Sequence, residues 1–329
     1  MLGIYKKCVV AKNFWQKLPQ PFFCLAPMAE VTDPAFRRII TKYGKADVLW
    51  TEFVSADGLC HPKGRERLLP LLQFSKLERP IVAQIFGAKP EKIKEATKII
   101  CKLGFDGVDI NLGCPDRSVE KQGAGAALIK NFKLAREIIR SAKEGAGEMP
   151  VSVKTRIGYN QDELETWLPE LLAEKPAAIT IHARTRKEMS KVPARWERIK
   201  RAVEIRNELK SQALIIGNGD VVDLADAKRK AKESGADGVM FGRAIFGNPW
   251  LFNKSRKFPT VVERLRVLVE QTKLFEKLLS KTKSFAVMKK HFKAYVTGWE
   301  GAKELRAKLM ETSKAKEVEV LVKAYLNRL

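Results

Sequence analysis

The sequence predicts a (β/α)₈ TIM barrel followed by a small all-helical C-terminal domain. Between residues 22 and 252, eight short apolar runs alternate with amphipathic stretches. The runs are rich in Val, Ile and Phe and lack a helical period, which is typical of buried parallel strands. Beyond about residue 255 only helical patterns follow. We therefore expect a barrel over 1–255 and a helical domain over 256–329. A doubly wound open sheet is the alternative, although it more often has fewer strands and a switch point.

Each predicted element has a local signal. Asp33 followed by Pro34 predicts the start of a helix, and Gly44, Gly104 and Gly235 each predict the end of one. The predicted strands are Phe22–Ala26, Val48–Phe53, Ile81–Phe86, Val108–Leu112, Val151–Arg156, Ala178–Ala183, Ala213–Gly217 and Gly238–Gly242. Helical patterns between them include Pro90–Leu103, Leu134–Lys143, Trp196–Leu209 and Leu224–Ser234, and the C-terminal helices are predicted at Val261–Leu279, Phe285–Val296, Ala302–Met310 and Glu317–Leu329.

The charge predicts a polyanionic partner. The 329 residues are 45% hydrophobic, which is enough for a folded core, and carry a net charge of +24. Residues 256–329 hold 18 Lys+Arg against 8 Asp+Glu, so this segment is more than twice as basic per residue as the rest. Nucleic acid and an anionic membrane surface are the two candidates. The basic segment has no Trp/Phe-rich amphipathic face, which disfavours the membrane.

Targeting and metal signals are weak. No apolar run approaches the roughly 18 residues of a membrane span, and no apolar segment typical of a signal peptide follows the N-terminal lysines. The five cysteines have no C-x-x-C spacing and the three histidines are scattered, which argues against a zinc knuckle or a His-rich site. We expect a cytoplasmic monomer without a metal and without a membrane contact.

Polar residues cluster where the predicted strands end. In barrels the carboxyl ends of the strands share one mouth, where active sites lie. Inward-facing charges are costly unless they are paired or bound to a ligand. A structural ion pair could explain one strand, whereas five converging strands favour a ligand site. The residues are Gln84, Asp109, Asn111, Lys154, Arg156, His182, Arg184, Asn218 and Asp220.

Two glycine-containing turns predict a phosphate site. Asn218-Gly219-Asp220 and Gly242-Arg243 follow strands seven and eight. In barrels these loops bind phosphate through backbone N–H groups, and Arg243 would add a charged fork. Each turn alone would be read as an ordinary glycine turn, but the two together favour phosphate.

Cys114 follows strand four on a predicted mouth loop. A cysteine there is well placed to give or take a proton, because it can reach a bound substrate. A buried structural cysteine is the equally weighted alternative.

Six motifs follow one another along the sequence: Ala26-Pro27-Met28-Ala29 with Val31-Thr32-Asp33, Asn111-Leu112-Gly113-Cys114-Pro115, Ser152-Val153-Lys154-Thr155-Arg156, His182-Ala183-Arg184-Thr185-Arg186, Asn218-Gly219-Asp220 and Gly242-Arg243. Together these motifs resemble the tRNA-dihydrouridine synthases, in family order and spacing over roughly residues 20–310. The resemblance implies an FMN-dependent barrel, a helical tRNA-binding domain, NADPH as reductant and a uridine in tRNA as substrate. Glu30 departs from the family pattern, which usually has a small residue there.

The resemblance also implies a role for each residue. Cys114 would be the general acid that protonates C5 of uracil after a hydride from reduced flavin N5 reaches C6, and Asn111 would hold the uracil. The base would have to be flipped out of the folded tRNA. We expect Arg184 and Arg186 to meet the RNA backbone, with a solvated basic loop as the alternative. The cofactor residues would be Pro27, Met28 and Ala29 along the isoalloxazine, Gln84 on its polar edge, Lys154 at N1/O2, His182 on the flavin, and Asn218, Gly219, Asp220, Gly242 and Arg243 on ribityl and phosphate.

Two other functions stay open at this point. One is a flavin barrel that reduces a free small molecule, of the dihydroorotate type, which explains a phosphate site but not the basic C-terminal segment. The other is a non-catalytic RNA-binding protein, which explains the charge but leaves Cys114, Lys154 and His182 coincidental.

Overall fold

The computed structural model describes residues 13–253, 255 and 259–328, and within them eight parallel strands close into a barrel in chain order. The last strand pairs with the first, Phe22 lying opposite Gly238, so the open-sheet alternative is wrong and the TIM barrel is confirmed. The strands are β1 Phe22–Leu25, β2 Val48–Ser55, β3 Ile81–Phe86, β4 Gly107–Leu112, β5 Val151–Arg156, β6 Ala178–His182, β7 Leu214–Asn218 and β8 Gly238–Phe241.

Helices surround the barrel and follow it. The barrel helices are α1 Pro34–Gly44, α2 Ala56–Cys60, α3 Pro62–Leu68, α4 Pro90–Leu103, α5 Arg117–Glu120, α6 Phe132–Ala146, α7 Leu164–Ala173, α8 Trp196–Glu208 and α9 Leu224–Ser234. The C-terminal helices are α10 Val261–Leu279, α11 Met288–Tyr295, α12 Ala302–Met310 and α13 Ala315–Leu326. No helix among the described residues is long and apolar enough to cross a bilayer.

The predicted helix signals act as expected. The Asp33 carboxylate accepts the backbone N–H of Phe36 at 2.9 Å and caps α1, in which Pro34 is the first residue. Gly104 and Gly235 follow α4 and α9 in the left-handed region, where glycine carries no steric penalty. Local sequence therefore determines where these helices start and end.

The interior of the barrel changes character along its axis. Its N-terminal end is filled by apolar and aromatic side chains. Trp15, on a short 3₁₀ turn at Phe14–Lys17, lies with its ring centroid 5.7 Å from that of Phe22 and 5.8 Å from that of Trp50. This cluster fills the barrel axis at one end, so the polar residues lie at the other end of the interior.

The C-terminal helices share a core with the barrel. Ala35 and Ile39 of α1 and Trp250, after β8, are buried together with the apolar faces of α10 to α13. The predicted boundary between residues 255 and 256 adjoins positions outside the described residues.

Two ion pairs fasten the C-terminal region beside the barrel mouth. Lys283 donates to both carboxylate oxygens of Glu52 at 2.7 Å, and Lys290 of α11 donates to Glu30 at 3.0 Å. Glu52 and Lys283 are nearly buried, whereas Lys290 and Glu30 are partly exposed. Helix α11 is therefore held to the loop after β1 through Lys290, and the segment before α11 is held to β2 through Lys283.

Candidate active site

Strand register assembles the predicted polar residues. Gln84 lies opposite Asp109, which lies opposite Ser152, so these three form one row across β3, β4 and β5. One layer nearer the mouth, Asn111 lies opposite Lys154. Because alternate residues of a strand share a face, both rows point into the barrel. The further row Arg156, His182 and Asn218 continues around β5, β6 and β7.

A cavity of about 750 Å³ opens at this mouth. Arg184 and most of the predicted cofactor residues line it. A larger hollow of about 990 Å³ lies at the opposite end, beside Val151 and Leu214, where barrel enzymes do not place their chemistry. The cofactor residues that line the mouth cavity are Pro27, Met28, Lys154, His182, Asn218, Gly219, Asp220, Gly242 and Arg243.

Lys154 is a cation without a carboxylate partner among the described residues. Its Nζ donates to the Asn218 amide oxygen at 3.2 Å, and the Asn218 amide nitrogen donates in turn to the Met240 carbonyl at 2.8 Å. Burial, and then the neighbouring Arg156, lower the pKa of Lys154 to about 8. The arrangement leaves a positive charge at the cavity wall, which an anionic ligand would stabilise.

Asp220 organises the other side of the cavity. It accepts hydrogen bonds from Arg184, from Arg243 at 2.7 Å and from the backbone N–H of Ala194 at 2.9 Å. Burial opposes ionisation, but the hydrogen bond from Arg184 and the other partners hold the pKa of Asp220 below its usual value. The guanidinium of Arg184 also lies 3.1 Å from His182 Nε2. Burial, and then the surrounding cations, lower the pKa of His182 far below its usual value, so the imidazole is neutral at pH 7.

The loop after β7 brings its backbone to the cavity at Gly219. Gly219 has φ +129°, and a Cβ there would lie 2.7 Å from that of Ala194 and 3.3 Å from the His182 ring. Only glycine fits this position. Arg243, whose side chain is 67% exposed, stands beside it with donors left for an anion.

Cys114 is a free thiol, half-buried at the mouth on a loop bonded from three sides. The amide oxygen of Asn111 accepts the backbone N–H groups of Gly113 at 3.1 Å and Cys114 at 2.8 Å. Arg156 donates to the Gly113 carbonyl at 2.8 Å, and the Ala126 N–H donates to that of Cys114 at 2.9 Å. Burial raises the pKa of the Cys114 thiol. The thiol is therefore protonated at neutral pH and can act as an acid.

Gln84 and Asp109 lie beneath this loop and are fully buried. Gln84 donates to Asp109 at 2.6 Å and accepts from Asn111 at 3.0 Å, and Ser152 donates to Asp109 at 2.6 Å. Burial raises the pKa of Asp109 to about 6, although the hydrogen bonds from Gln84 and Ser152 oppose the shift. Gln84 does not line the cavity, so its position on the flavin edge stays a prediction.

A family model for dihydrouridine synthases (Dus) matches residues 24–329. The chain belongs to the dihydrouridine synthase family. It is 43% identical over 313 residues to a probable tRNA-dihydrouridine synthase of Staphylococcus aureus strain MRSA252, covering 94% of this chain and 95% of the relative. It is 41% identical over 315 residues to the probable tRNA-dihydrouridine synthase 2 of Bacillus subtilis strain 168, covering 95% and 96%.

A solved structure shares the fold of this dihydrouridine synthase family member. Histamine dehydrogenase from Rhizobium sp. 4-9 superposes with a TM-score of 0.53 at 12% identity, over 77% of this chain and 48% of the other. At that identity the likeness concerns the barrel alone.

The two predicted RNA-contacting arginines of this dihydrouridine synthase family member differ in placement. Arg184 is 2% exposed and lines the cavity, so the geometry favours an interior role over contact with an RNA backbone. Arg186 is partly exposed, pairs with Glu120 through two guanidinium nitrogens and packs 5.3 Å from the centre of the Tyr159 ring. Neither is a free solvated cation, and substrate contact by Arg186 stays a prediction.

Ala29, which was predicted to lie along the flavin, is exposed and does not line the cavity.

The sequence did not reveal the residues that hold the mouth loops and the predicted site residues in place. Arg156 was expected at the mouth without a role, yet it donates to the carbonyls of Gly113, Thr185 and Met189 and joins two mouth loops. Glu120, the partner of Arg186, carried no signal, because its helix is one turn long and the pair is 66 residues apart. Among the described residues, no three His, Cys, Asp or Glu side chains come together as a metal site.

Proposed function

We propose that this protein reduces the C5=C6 bond of uridines in tRNA to 5,6-dihydrouridine, with FMN as cofactor and NADPH as reductant. The observation that carries the proposal is a free, protonated Cys114 thiol at the same barrel mouth as a cationic cavity, in a chain of the dihydrouridine synthase family. The proposal takes tRNA as substrate from the names of the relatives.

The cavity residues fit FMN. A phosphate is a dianion that favours backbone N–H groups and arginine, and the glycine turns at Gly219 and Gly242 beside Arg243 provide both. Lys154 would neutralise negative charge on the flavin ring, because its buried ammonium is bonded to the neutral Asn218 amide and has no carboxylate partner among the described residues. Pro27 and Met28 would pack along the ring. His182 and Asn218 would contact the ring and the ribityl chain, and Asp220 would keep Arg243 in place.

The chain's own residues handle the proton and the substrate. When bound, FMN supplies a hydride to C6 of the uracil. Cys114 gives its proton to C5, and Asn111 holds the Cys114 loop while its mouth position lets it orient the base. The uracil must leave the tRNA stack to reach this point, at a cost of about a few kcal/mol that phosphate contacts offset.

Helix α11 supports the tRNA assignment. Lys289 and Lys293 are exposed on it, and neither forms an ion pair with another described residue. The neighbouring Lys290 is bonded to Glu30 at the mouth, so the two free lysines stand beside the entrance. They are well placed to meet phosphates next to a flipped uridine.

The double variant K289E/K293E is expected to weaken tRNA binding about tenfold or more and to reduce the slope of log K against log salt by about 2, because each lysine contributes about one phosphate contact. Binding is measured by filter retention at several salt concentrations. K228E/K232E on α9 is the matched control, since it reverses two exposed lysines with the same spacing. Equal loss in both variants would mean that the effect is one of net charge and not of this surface.

The deciding experiment is to map dihydrouridine in tRNA from cells with and without this protein, and to repeat the reaction with purified protein, FMN and NADPH. Loss of dihydrouridine at defined positions supports the proposal. Reduction of free orotate or uracil at rates like those on tRNA would favour a small-molecule reductase. Binding of tRNA without any change in dihydrouridine would favour an RNA-binding protein.

A further inference from the structure

We propose that Asp109 is a positioning residue whose carboxylate, acting through Gln84 and Asn111, fixes the backbone that carries Cys114. The role of Cys114 in this inference rests on the proposed function. Asp109 does not line the cavity and is placed to act only through its neighbours.

Four side chains and one loop form a single hydrogen-bonded series. Ser152 Oγ donates to Asp109 Oδ1 at 2.6 Å, and Gln84 Nε2 donates to Asp109 Oδ2 at 2.6 Å. Asn111 Nδ2 donates to Gln84 Oε1 at 3.0 Å. The remaining atom, Asn111 Oδ1, accepts the N–H groups of Gly113 and Cys114.

The direction of this series is set by the carboxylate. An ionised carboxylate only accepts hydrogen bonds, so Gln84 must turn its NH₂ group toward Asp109 and its oxygen toward Asn111. Asn111 must then turn its own NH₂ group toward Gln84, which leaves its oxygen for the two N–H groups of the loop. With a neutral amide at position 109 either orientation of Gln84 would be satisfied, and the loop would lose its defined acceptor.

Burial makes the direction matter. Gln84 and Asp109 are 0% exposed and Asn111 is 6% exposed, so water has little access to replace a lost partner. A reversed Asn111 would point its NH₂ group at two N–H donors, and the backbone at Cys114 would have to move away. We expect that shift to displace the thiol from C5 of the substrate.

The inference can be tested by moving the charge along the series. In D109N the carboxylate is lost at nearly constant shape. In D109N/Q84E it is transferred to position 84, where it accepts from the introduced amide at position 109 on one side and from Asn111 on the other, and the orientation of Asn111 is restored. S152A is the matched control, since it removes the Ser152 hydrogen bond to Asp109 without changing the direction of the series.

Two readouts are compared at pH 8, where Asp109 is ionised. The first is the rate at which iodoacetamide alkylates Cys114, followed by peptide mass spectrometry in protein without tRNA. The second is kcat and KM for tRNA. D109N is expected to change the alkylation rate about threefold or more and to lower kcat about tenfold with KM nearly unchanged, as a slightly misplaced group does. The double variant should return the alkylation rate to within about twofold of wild type, and S152A should keep it there.

Wild-type behaviour of D109N, a loss in S152A equal to that in D109N, or a failure of the double variant to restore Cys114 reactivity would each overturn the inference. If D109N does not fold, the double variant must still fold and show wild-type alkylation, because all its donors and acceptors are paired. The alkylation assay needs no tRNA and no turnover. Restored alkylation in a protein that makes no dihydrouridine would therefore leave the positioning role standing and remove the proposed function.

Discussion

C114A is expected to lower the rate of dihydrouridine formation about 100-fold or more while FMN and tRNA stay bound, because positioned general acids contribute factors of about 10² to 10⁴. The loop around Cys114 is held by backbone bonds to Asn111, Arg156 and Ala126, none of which uses the thiol. Removal of the sulfur should therefore leave the loop in place. Single-turnover oxidation of the reduced enzyme by tRNA, followed by flavin absorbance, measures the effect.

C60A is the matched control, since Cys60 is another free, partly buried thiol, but it ends α2 and its Sγ is bonded to the Lys92 carbonyl. Wild-type turnover in C114A, or an equal loss in C60A, would remove Cys114 from the mechanism.

The pH dependence of turnover is expected to follow the protonation of the Cys114 thiol. Because burial raises its pKa, Cys114 keeps its proton above the ordinary thiol value near 8.5, and turnover should decline only at higher pH.

K154M is expected to make the apoprotein more stable and the enzyme inactive. Burial lowers the pKa of Lys154 from 10.5 to about 8, which means that the folded state disfavours the charged lysine by about 3 kcal/mol at neutral pH. Methionine removes that cost and fills similar space. It also removes the cation proposed to face the flavin, so FMN affinity and turnover should both fall.

The sign of the pH dependence separates this prediction from a simple packing effect. A lysine whose folded-state pKa is lowered destabilises the fold fully below pH 8, and the destabilisation disappears as the pH rises toward 10.5. The difference in the free energy of unfolding between K154M and wild-type apoprotein should therefore shrink between pH 8 and 10. Urea titrations at several pH values measure it, with the exposed Lys228 changed to methionine as control. A difference that stays constant with pH would show that the charge of Lys154 is not its source.

Much of the fold could be predicted from local patterns. Four to eight consecutive buried residues with β-branched side chains distinguish strands from helices, and caps such as Asp33 and Gly104 set the boundaries. Errors occur at strand ends: Ala26, Ala183 and Gly242 were predicted as strand residues and lie in loops at the mouth, and Ala213 precedes β7. The predicted helix at 285–296 begins with a separate 3₁₀ turn at Phe285–Val287, where the Ser284 side chain accepts the Ala286 N–H.

The hydrogen-bond and ion-pair partners of the mouth residues could not be predicted from local patterns. Alternation along β5 correctly placed Lys154 and Arg156 on one face, but their different environments depend on neighbouring strands. Arg184 was predicted as a basic mouth residue, and only the closed barrel brings it to Asp220, 36 residues further along the chain. A single sequence gives residue types at the mouth, whereas the choice between a free charge and a paired one depends on long-range contacts.

The two ion pairs that hold α11 and the segment before it beside the mouth have a consequence for substrate choice under the proposed function. Glu30 with Lys290 holds α11, the helix proposed to meet the RNA, and Glu52 with Lys283 holds the segment before it, so the lysines of α11 keep a fixed position relative to the barrel mouth. The enzyme would then select a uridine by its distance in the tRNA fold from the phosphates bound by α11, and not by the bases next to it in sequence.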